Sequence, residues 1–443
     1  MEIEKAYFRR ATHSFFEQNR DRNIPQKILL QGSELLTDTK QLAACNTNDN
    51  RYKSSILRDC MVKANPLELP NISLTISRKF IHLLHLVMIN VITLTVTTPA
   101  LAKSDMYEKL VSTIFEEEVR PNRYANRSEV DAFINELVIH EDFDRATLKK
   151  IFAQTVFSET TAKLVAPPST TAKKNWQAYQ SRFLDSTRIN NGVRFWNENS
   201  AALARASQIF GVPEEIIVAI IGVETIYGRH MGNFRILDTL TTLAFDYPPA
   251  PNRSRRMTLF RNELANLLIY AREQHIDPFS LYGSYAGAIG IPQFMPSSIR
   301  AYAIDFSGDR KINLTRNVSD AIGSVGNFLK MHGWETKRPI VWHISPDLNS
   351  QRIAEKGADG QPDPHHKLEN FIKIGLLINE PKLNLSTELN TPILIVDLPT
   401  PNQPTEYRIG LKNFSVLTRY NRSFFYAMAV YDLSEAIKAA RRN

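Results

Sequence analysis

Cysteine is nearly absent from this chain. Only Cys45 and Cys60 occur in 443 residues, they form no CxxC pair, and none follows residue 60. Zinc-ribbon and dithiol chemistry therefore lack their ligands. No P-loop, no GxGxxG after a strand-like run and no HExxH is present, which removes the phosphate cradle, the dinucleotide fingerprint and the zinc-protease helix. Acidic residues are the minority charge, 46 against 54 Lys and Arg, for a net charge of +8. That excess suits an acidic partner: nucleic acid, an anionic membrane surface or a polymer bearing carboxylates. A hydrophobic content of 43% is ordinary for a globular chain and excludes disorder throughout, and the length has room for two or three domains.

One long apolar run is present. FIHLLHLVMINVITLTVTT, residues 80–98, follows Arg78 and Lys79 and precedes Ala100-Leu101-Ala102, the three-part pattern of a secretory signal. It begins about eighty residues in. Met61 is the only methionine between Met1 and the run, so translation is expected to start there, with residues 1–77 an uncertain extension and 78–102 the signal peptide. The alternative is a retained anchor, but His82, His85 and Asn90 interrupt the run and weaken it as a spanning helix. Cleavage after Ala102 leaves a cysteine-free protein without a lipid-attachment residue or a stable membrane anchor. It would need no disulfides in an oxidising compartment.

Beyond the signal, residues 103–175 read as a helical domain and linker, with MYEKLVSTIFEEEV and SEVDAFINELVIHEDF at helical spacing and APPSTTAKK as the joint. Residues 176–336 keep helical periodicity, as in RILDTLTTLAF, and form the expected core. Residues 337–410 change texture. RPIVWHI, TPILIVDL and EYRIGL are β-type runs separated by Pro, Asn and Asp, and 411–443 return to helical spacing.

The stretch VPEEIIVAIIGVETIYG places one carboxylate, Glu224, at the end of an almost unbroken apolar run. Pro213 fits the first turn, Glu214 and Glu215 suit the positive helix end, and Gly228 is expected to supply the stop. In the last turn, apolar neighbours and the negative end of the helix dipole both raise the pKa of Glu224. The bland reading is an exposed side chain or a pair with Arg229. SYAGAIGIPQFMPSS, 284–298, reads either as a close backbone approach to a ligand or as a tight helix crossing. DFSGDRKIN, 305–313, alternates Asp305, Ser307 and Asp309 with the Lys311 carbonyl next, as a calcium loop does. Arg310 occupies the place of the turn glycine and Asp320 is the nearest closing carboxylate, so an ion-free Asx turn is the competing reading. WQAYQSRF and RYNRSFFYAMAVYDL interleave aromatic and polar residues, as sugar-stacking surfaces and helix cores both do.

Taken together, VPEEIIVAIIGVETIYG, YAGAIGIPQFMPSS, DFSGDRKINL with DAIGSVGNFLKMHGW, and YNRSFFYAMAV resemble the membrane-bound lytic murein transglycosylase B family over residues 105–440. The resemblance implies a mainly α fold, with a lysozyme-like core, an N-terminal α-domain and a small inserted β-rich domain. It implies a peptidoglycan lytic transglycosylase that cleaves the MurNAc–GlcNAc bond and leaves 1,6-anhydro ends, with Glu224 as sole acid and base. Ser284 and Gln293 would hold sugar substituents, Phe294 and Met295 would line the groove, and Tyr179, Tyr420, Tyr426 and Phe328 would contact the glycan. Phe328 stands where the family pattern has tyrosine. Arg255 and Arg256 would meet the acidic stem peptide. Asp305, Ser307, Asp309, Lys311 and Asp320 would hold a weak, structural Ca²⁺, with no cofactor for catalysis. Peptidoglycan strands and stem peptides are the expected partners, not nucleic acid, for a periplasmic monomer. The rivals are a hydrolytic muramidase on the same fold and a non-catalytic peptidoglycan-binding protein.

Overall fold

A computed structural model describes residues 123–167, 173–381 and 383–442. The signal-like run, Met61, both cysteines and MYEKLVSTIFEEEV lie outside the described residues. Helices α1 (Ser128–Glu141), α2 (Arg145–Gln154) and α3 (Glu159–Val165) come first. The side chains of Asp144 and Ser158 accept the Thr147 and Thr161 amides and so fix where α2 and α3 begin. Next come α4 (Trp176–Gln180), α5 (Ser186–Glu198), α6 (Ser200–Phe210) and α7 (Glu214–Thr225). A two-residue strand β1 (Phe234–Arg235) leads into α8 (Ile236–Phe245) and the long α9 (Arg253–Glu273). After β2 (Tyr282–Gly283), which pairs antiparallel with β1, follow α10 (Pro296–Tyr302) and α11 (Val318–Met331).

Helix α7 is the centre of the packing. Ile216, Ile217, Val218, Ala219, Ile220 and Ile221 are each at most 1% exposed, so this helix is apolar on every side because every side is covered. Burying such side chains stabilises by about 1.5–3 kcal/mol each. Among the described residues, no single helix is long and apolar enough to cross a membrane.

The β-type runs fall on strands β3 (Val341–His343), β5 (Pro392–Leu398) and β6 (Glu406–Gly410), but sequence texture missed the rest of this region. Helices α12 (Leu348–Gly357), α13 (Leu368–Lys373) and α14 (Leu385–Glu388) lie between the strands, as does the short β4 (His366–Lys367). The sheet is antiparallel in the order β3-β6-β5-β4, with Val341 and Leu394 both opposite Gly410 and His366 opposite Ile393. It has its own apolar centre around Trp342, Leu368, Ile393, Ile395 and Ile409. The chain then returns to the helical body through α15 (Lys412–Tyr420) and α16 (Phe424–Arg442). The RYNRSFFYAMAVYDL segment is thus two helices broken at Asn421–Ser423, where Ser423 accepts the Ala427 amide and restarts the helix. The whole is mainly α with a small β insertion.

Candidate active site

Helix α7 stops earlier than glycine placement suggests. The Ile226 amide bonds to the Gly222 carbonyl and the Tyr227 amide to that of Ile221, a double closure of the Schellman kind. Ile226 and Tyr227 take the left-handed turn themselves, at φ 50 and 61, before Gly228 at φ 83. A β-branched residue there costs roughly 1–2 kcal/mol, and such strain gathers at functional sites. What holds it is visible. The Tyr227 hydroxyl donates to the Arg188 carbonyl at 3.0 Å, and Arg188 Nη1 donates to Gly222 O at 2.9 Å. A Cβ on Gly222 would sit 2.6 Å from the Tyr227 hydroxyl, so that tyrosine requires glycine beneath it. Thr225, fully buried, donates to Ile291 O at 2.8 Å and accepts the Gly228 amide at 2.9 Å. Glu224 is therefore clamped from both sides in sequence.

The 284–295 segment is no helix crossing: helix α10 begins only at Pro296. Instead it folds back on itself, with Ile289 and Phe294 exchanging backbone bonds at 2.8 and 3.2 Å. A Cβ on Gly290, at φ +75, would lie 2.6 Å from the Leu314 carbonyl, which explains the glycine at the closest approach. The carbonyls of Ile291 and Pro292 accept from Thr225 and from the Tyr420 hydroxyl, the latter at 2.6 Å. One loop thus ties α7 to the end of α15.

Around Glu224 the partners are tyrosines. The Tyr426 hydroxyl donates to Glu224 Oε1 at 2.7 Å, and Tyr420 stacks on Tyr426 with ring centroids 6.2 Å apart. Tyr179, half-buried, contacts Trp176, Phe183 and Phe425 and feels the Glu224 charge. It sits on α4, too short to persist alone, which is held by the Trp176 amide on Pro399 O and by Gln180 Nε2 on Asp432 Oδ2 at 2.6 Å. Dense protein surroundings push the Glu224 carboxyl from 4.5 up to about 7, against the opposing hydrogen bond from Tyr426. The side chain nonetheless retains partial solvent access. Burial holds the Tyr420 and Tyr426 hydroxyls well above their usual value, so both stay proton-bearing donors. The pairing with Arg229 does not occur: Arg229 Nη2 donates to Asn191 Oδ1 instead.

Among the described residues, the two aspartates that follow Glu224 next in sequence are engaged elsewhere. Asp238 accepts the Val156 amide and pairs with Arg235, while Asp246 pairs with Arg123 and Arg127. Two cavities, about 570 and 660 Å³, are lined by other residues and do not include Glu224. Chemistry, not cavity size, singles out the site.

The expected glycan contacts divide on burial. Phe294 and Phe328 are 2% and 5% exposed, with ring centroids 5.5 Å apart and Tyr420 at 5.8 and 4.9 Å from them. They pack against Tyr420, and a hydroxyl at 328 would need a buried partner. Tyr426 is also buried at 2%, reaching Glu224 only through its hydroxyl. Met295 is half-buried. Gln293 spends both amide hydrogens on Met231 O and Gly290 O, leaving its Oε1 as the atom for a ligand. Ser284 Oγ accepts the Ala288 amide at 3.0 Å, so its own hydrogen stays disposable. Arg255 and Arg256 are exposed on the first turn of α9, with Arg256 against Tyr247; no described contact joins them to Glu224. Phe425 and the Pro292 carbonyl, which meet Tyr179 and Tyr420, escaped sequence reasoning because only the fold brings them there, as did the bond from Thr225 to Ile291 O.

The 305–320 loop offers hard oxygens, the donor class calcium takes. Asp305 already accepts the amides of Gly308, Asp309 and Arg310, and Asp309 that of Lys311. Arg310 stands at φ 68, as the misplaced turn position implied. Asp320 lies deeper than the other carboxylates of the loop. It is fully buried, Oδ1 accepting Phe306 and Ser307 amides and Oδ2 that of Asn313. The carboxylates of Asp305, Asp309 and Asp320 do not converge within 4.8 Å of one another. Asp320 anchors the loop from inside.

A carboxylic acid with a raised pKa at a helix end, beside tyrosine hydroxyls in a lysozyme-like helical body, is an arrangement suited to a glycan-cleaving enzyme. The sequence pattern described as the transglycosylase SLT domain matches residues 125–435. Membrane-bound lytic murein transglycosylase B of Escherichia coli (strain K12) is 40% identical over 326 residues, 72% of this chain and 85% of that protein. The catenated lytic transglycosylase SltB1 of Pseudomonas aeruginosa is 40% identical, with a TM-score of 0.64 over 72% of this chain and 99% of that one. The E. coli lytic transglycosylase Slt35, solved in complex with calcium, is 38% identical, with a TM-score of 0.62 over 72% and 96%. The chain belongs to the membrane-bound lytic murein transglycosylase B family of SLT-domain proteins. It is a peptidoglycan lytic transglycosylase.

Proposed function

We propose that Glu224 serves first as acid and then as base in cleaving the MurNAc–GlcNAc bond. The observation that carries this is its raised pKa, near 7, beside the Tyr426 hydroxyl. Protonated Glu224 donates to the glycosidic oxygen, and positive charge develops at C1 of the muramoyl sugar. The sugar's 6-hydroxyl then attacks C1 and loses its proton to the Glu224 carboxylate. Both protons are accounted for by one residue, and the product is a 1,6-anhydro end. The nucleophile belongs to the substrate, so the second carboxylate of ordinary glycosidases has no task. This agrees with Asp238 and Asp246 being spent on arginines. Tyr426 aims the acid, Tyr420 and Tyr179 wall the site, and Gln293 Oε1 with the Ser284 hydroxyl orients sugar substituents. The exposed Arg255 and Arg256 suit acidic stem peptides. Mass spectrometry of digested sacculi should show fragments one water lighter than reducing ends; reducing ends alone would overturn the mechanism.

The export-signal pattern at residues 78–102 supports a periplasmic location. Calcium in this chain is read as structural, at Asp305, Ser307, Asp309 and the Lys311 carbonyl, with Asp320 closing the loop. Taking it up means competing with amides that those carboxylates already serve, so affinity of about 10⁻⁴–10⁻³ M is expected. About 5 mM CaCl₂ should raise the melting temperature of the native chain but not of Asp305→Ala, by mass action on the folded state. Equal shifts in both, or none in either, would mean an ordinary turn.

A further inference from the structure

The insertion carries a second constellation, outside the glycan site. Asp359, His365 and His366 present a carboxylate oxygen and two ring nitrogens that all lie within 4.8 Å of one another. His365 Nε2 is 2.7 Å and His366 Nε2 3.6 Å from the same atom, Asp359 Oδ2. We propose that these three side chains form a binding site for a divalent transition-metal ion, Zn²⁺ by ligand chemistry, which nails the 359–366 loop to the edge of the sheet.

Four features carry the inference. The donor set of two imidazoles and one carboxylate is that of three-ligand zinc sites, with a fourth position for water. Bonds of ~2.0–2.1 Å in a tetrahedron put ligand atoms roughly 3.3 Å apart, between the two distances observed, so small side-chain rotations suffice. His366 Nε2 is buried and has no hydrogen-bond partner, although its ring is fixed against Phe371 at 5.3 Å and its backbone lies in β4 opposite Ile393. A buried orphan nitrogen is unusual in a native fold, and an ion here would satisfy it. Finally, His365 Nδ1 is 2.7 Å from the Asp363 carbonyl, which can only accept. Nδ1 therefore carries the hydrogen and Nε2 is the nitrogen turned to Asp359, the outer bond that orients a metal-binding histidine. A bare imidazolium–carboxylate pair would explain His365 but leave His366 unexplained.

The loop is placed to matter. Asp363, inside it, accepts from Ser415 Oγ at 2.9 Å and from Arg419. Both donors lie on α15, whose last residue is Tyr420 beside Glu224. An ion at Asp359, His365 and His366 would thus stiffen the strap that holds one wall of the glycan site, without entering the chemistry.

The test is titration of untagged, metal-stripped protein with Zn²⁺ against a chromophoric chelator, with Co²⁺ as spectroscopic probe. One equivalent of Zn²⁺ should bind at micromolar affinity or tighter, and Co²⁺ should give the intense visible bands of a tetrahedral site. Asp359→Ala and His366→Gln, each checked by circular dichroism and thermal melting to be folded, should weaken Zn²⁺ at least about tenfold. Absence of binding in the native chain, or binding unchanged in both variants, overturns the proposal. If His366→Gln fails to fold, the milder His365→Gln, whose side chain is more exposed, decides by the same criterion.

Discussion

Glu224→Gln is expected to slow turnover of purified sacculi by about 10⁴-fold, while binding to them persists. In the proposed mechanism one residue performs both proton transfers, and each such step is worth about 10²–10⁴; the amide can do neither yet keeps the shape and the neighbour Tyr426. A loss under tenfold would remove Glu224 from the mechanism. The same substitution carries a stability signature of opposite sign. The unfolded carboxyl ionises near 4.5 and the folded one near 7, so the native state binds the extra proton between those values. Stability accordingly falls as pH rises from about 4.5 to 7 and then levels. At about 1.36 kcal/mol per unit, the burial of Glu224 costs on the order of 3 kcal/mol at pH 8. The Gln variant should therefore melt higher than the parent at pH 8 and equally near pH 4. Catalysis and stability pull against each other at this position.

Much of that site was legible before any coordinates, for definable reasons. Pro213, Glu214, Glu215 and the apolar run signal a helix locally, and a helix gives Glu224 its place in the last turn. The desolvation that raises its pKa follows from neighbours adjacent in sequence. Its role rested on the resemblance of four separated segments, because no local rule tells an acid catalyst from a buried structural Glu. What could not be read is what depends on which side of a ring is covered. Sequence spacing does not show that Phe294 and Phe328 are almost fully covered and pack against Tyr420. Nor does spacing show that Asp320 is buried with both oxygens accepting amides of its own loop. The helix stop moved from Gly228 to Ile226 because Tyr227, Arg188 and Gly222 together hold a conformation that local propensity opposes. The Asp359, His365 and His366 cluster matches no familiar metal spacing, and strand pairing of His366 with Ile393 is what helps bring it together.

Activity should fall about tenfold per unit above pH 7, with no acid-side decline arising from Glu224. The reasoning begins from the raised pKa of about 7: the reaction starts with the protonated acid, whose fraction drops tenfold per unit beyond that value. The base that completes the reaction is the same group, generated within the turnover by its own proton donation, so it need not be ionised beforehand. A two-carboxylate glycosidase behaves differently, since one partner must start ionised and its protonation creates an acid limb. The profile of kcat/KM therefore distinguishes one acid from two: a single alkaline limb here, a bell there. Tyr426→Phe sharpens the test. Its hydroxyl donates to the carboxylate and so lowers the Glu224 pKa; removing that bond disfavours the charged form and must move the limb to higher pH. The tyrosine hydroxyls stay protonated across this range because burial lifts them well above 10, so neither can supply the limb itself. An unshifted limb in Tyr426→Phe, or activity still rising at pH 9 in the native enzyme, would mean that a group other than Glu224 delivers the proton.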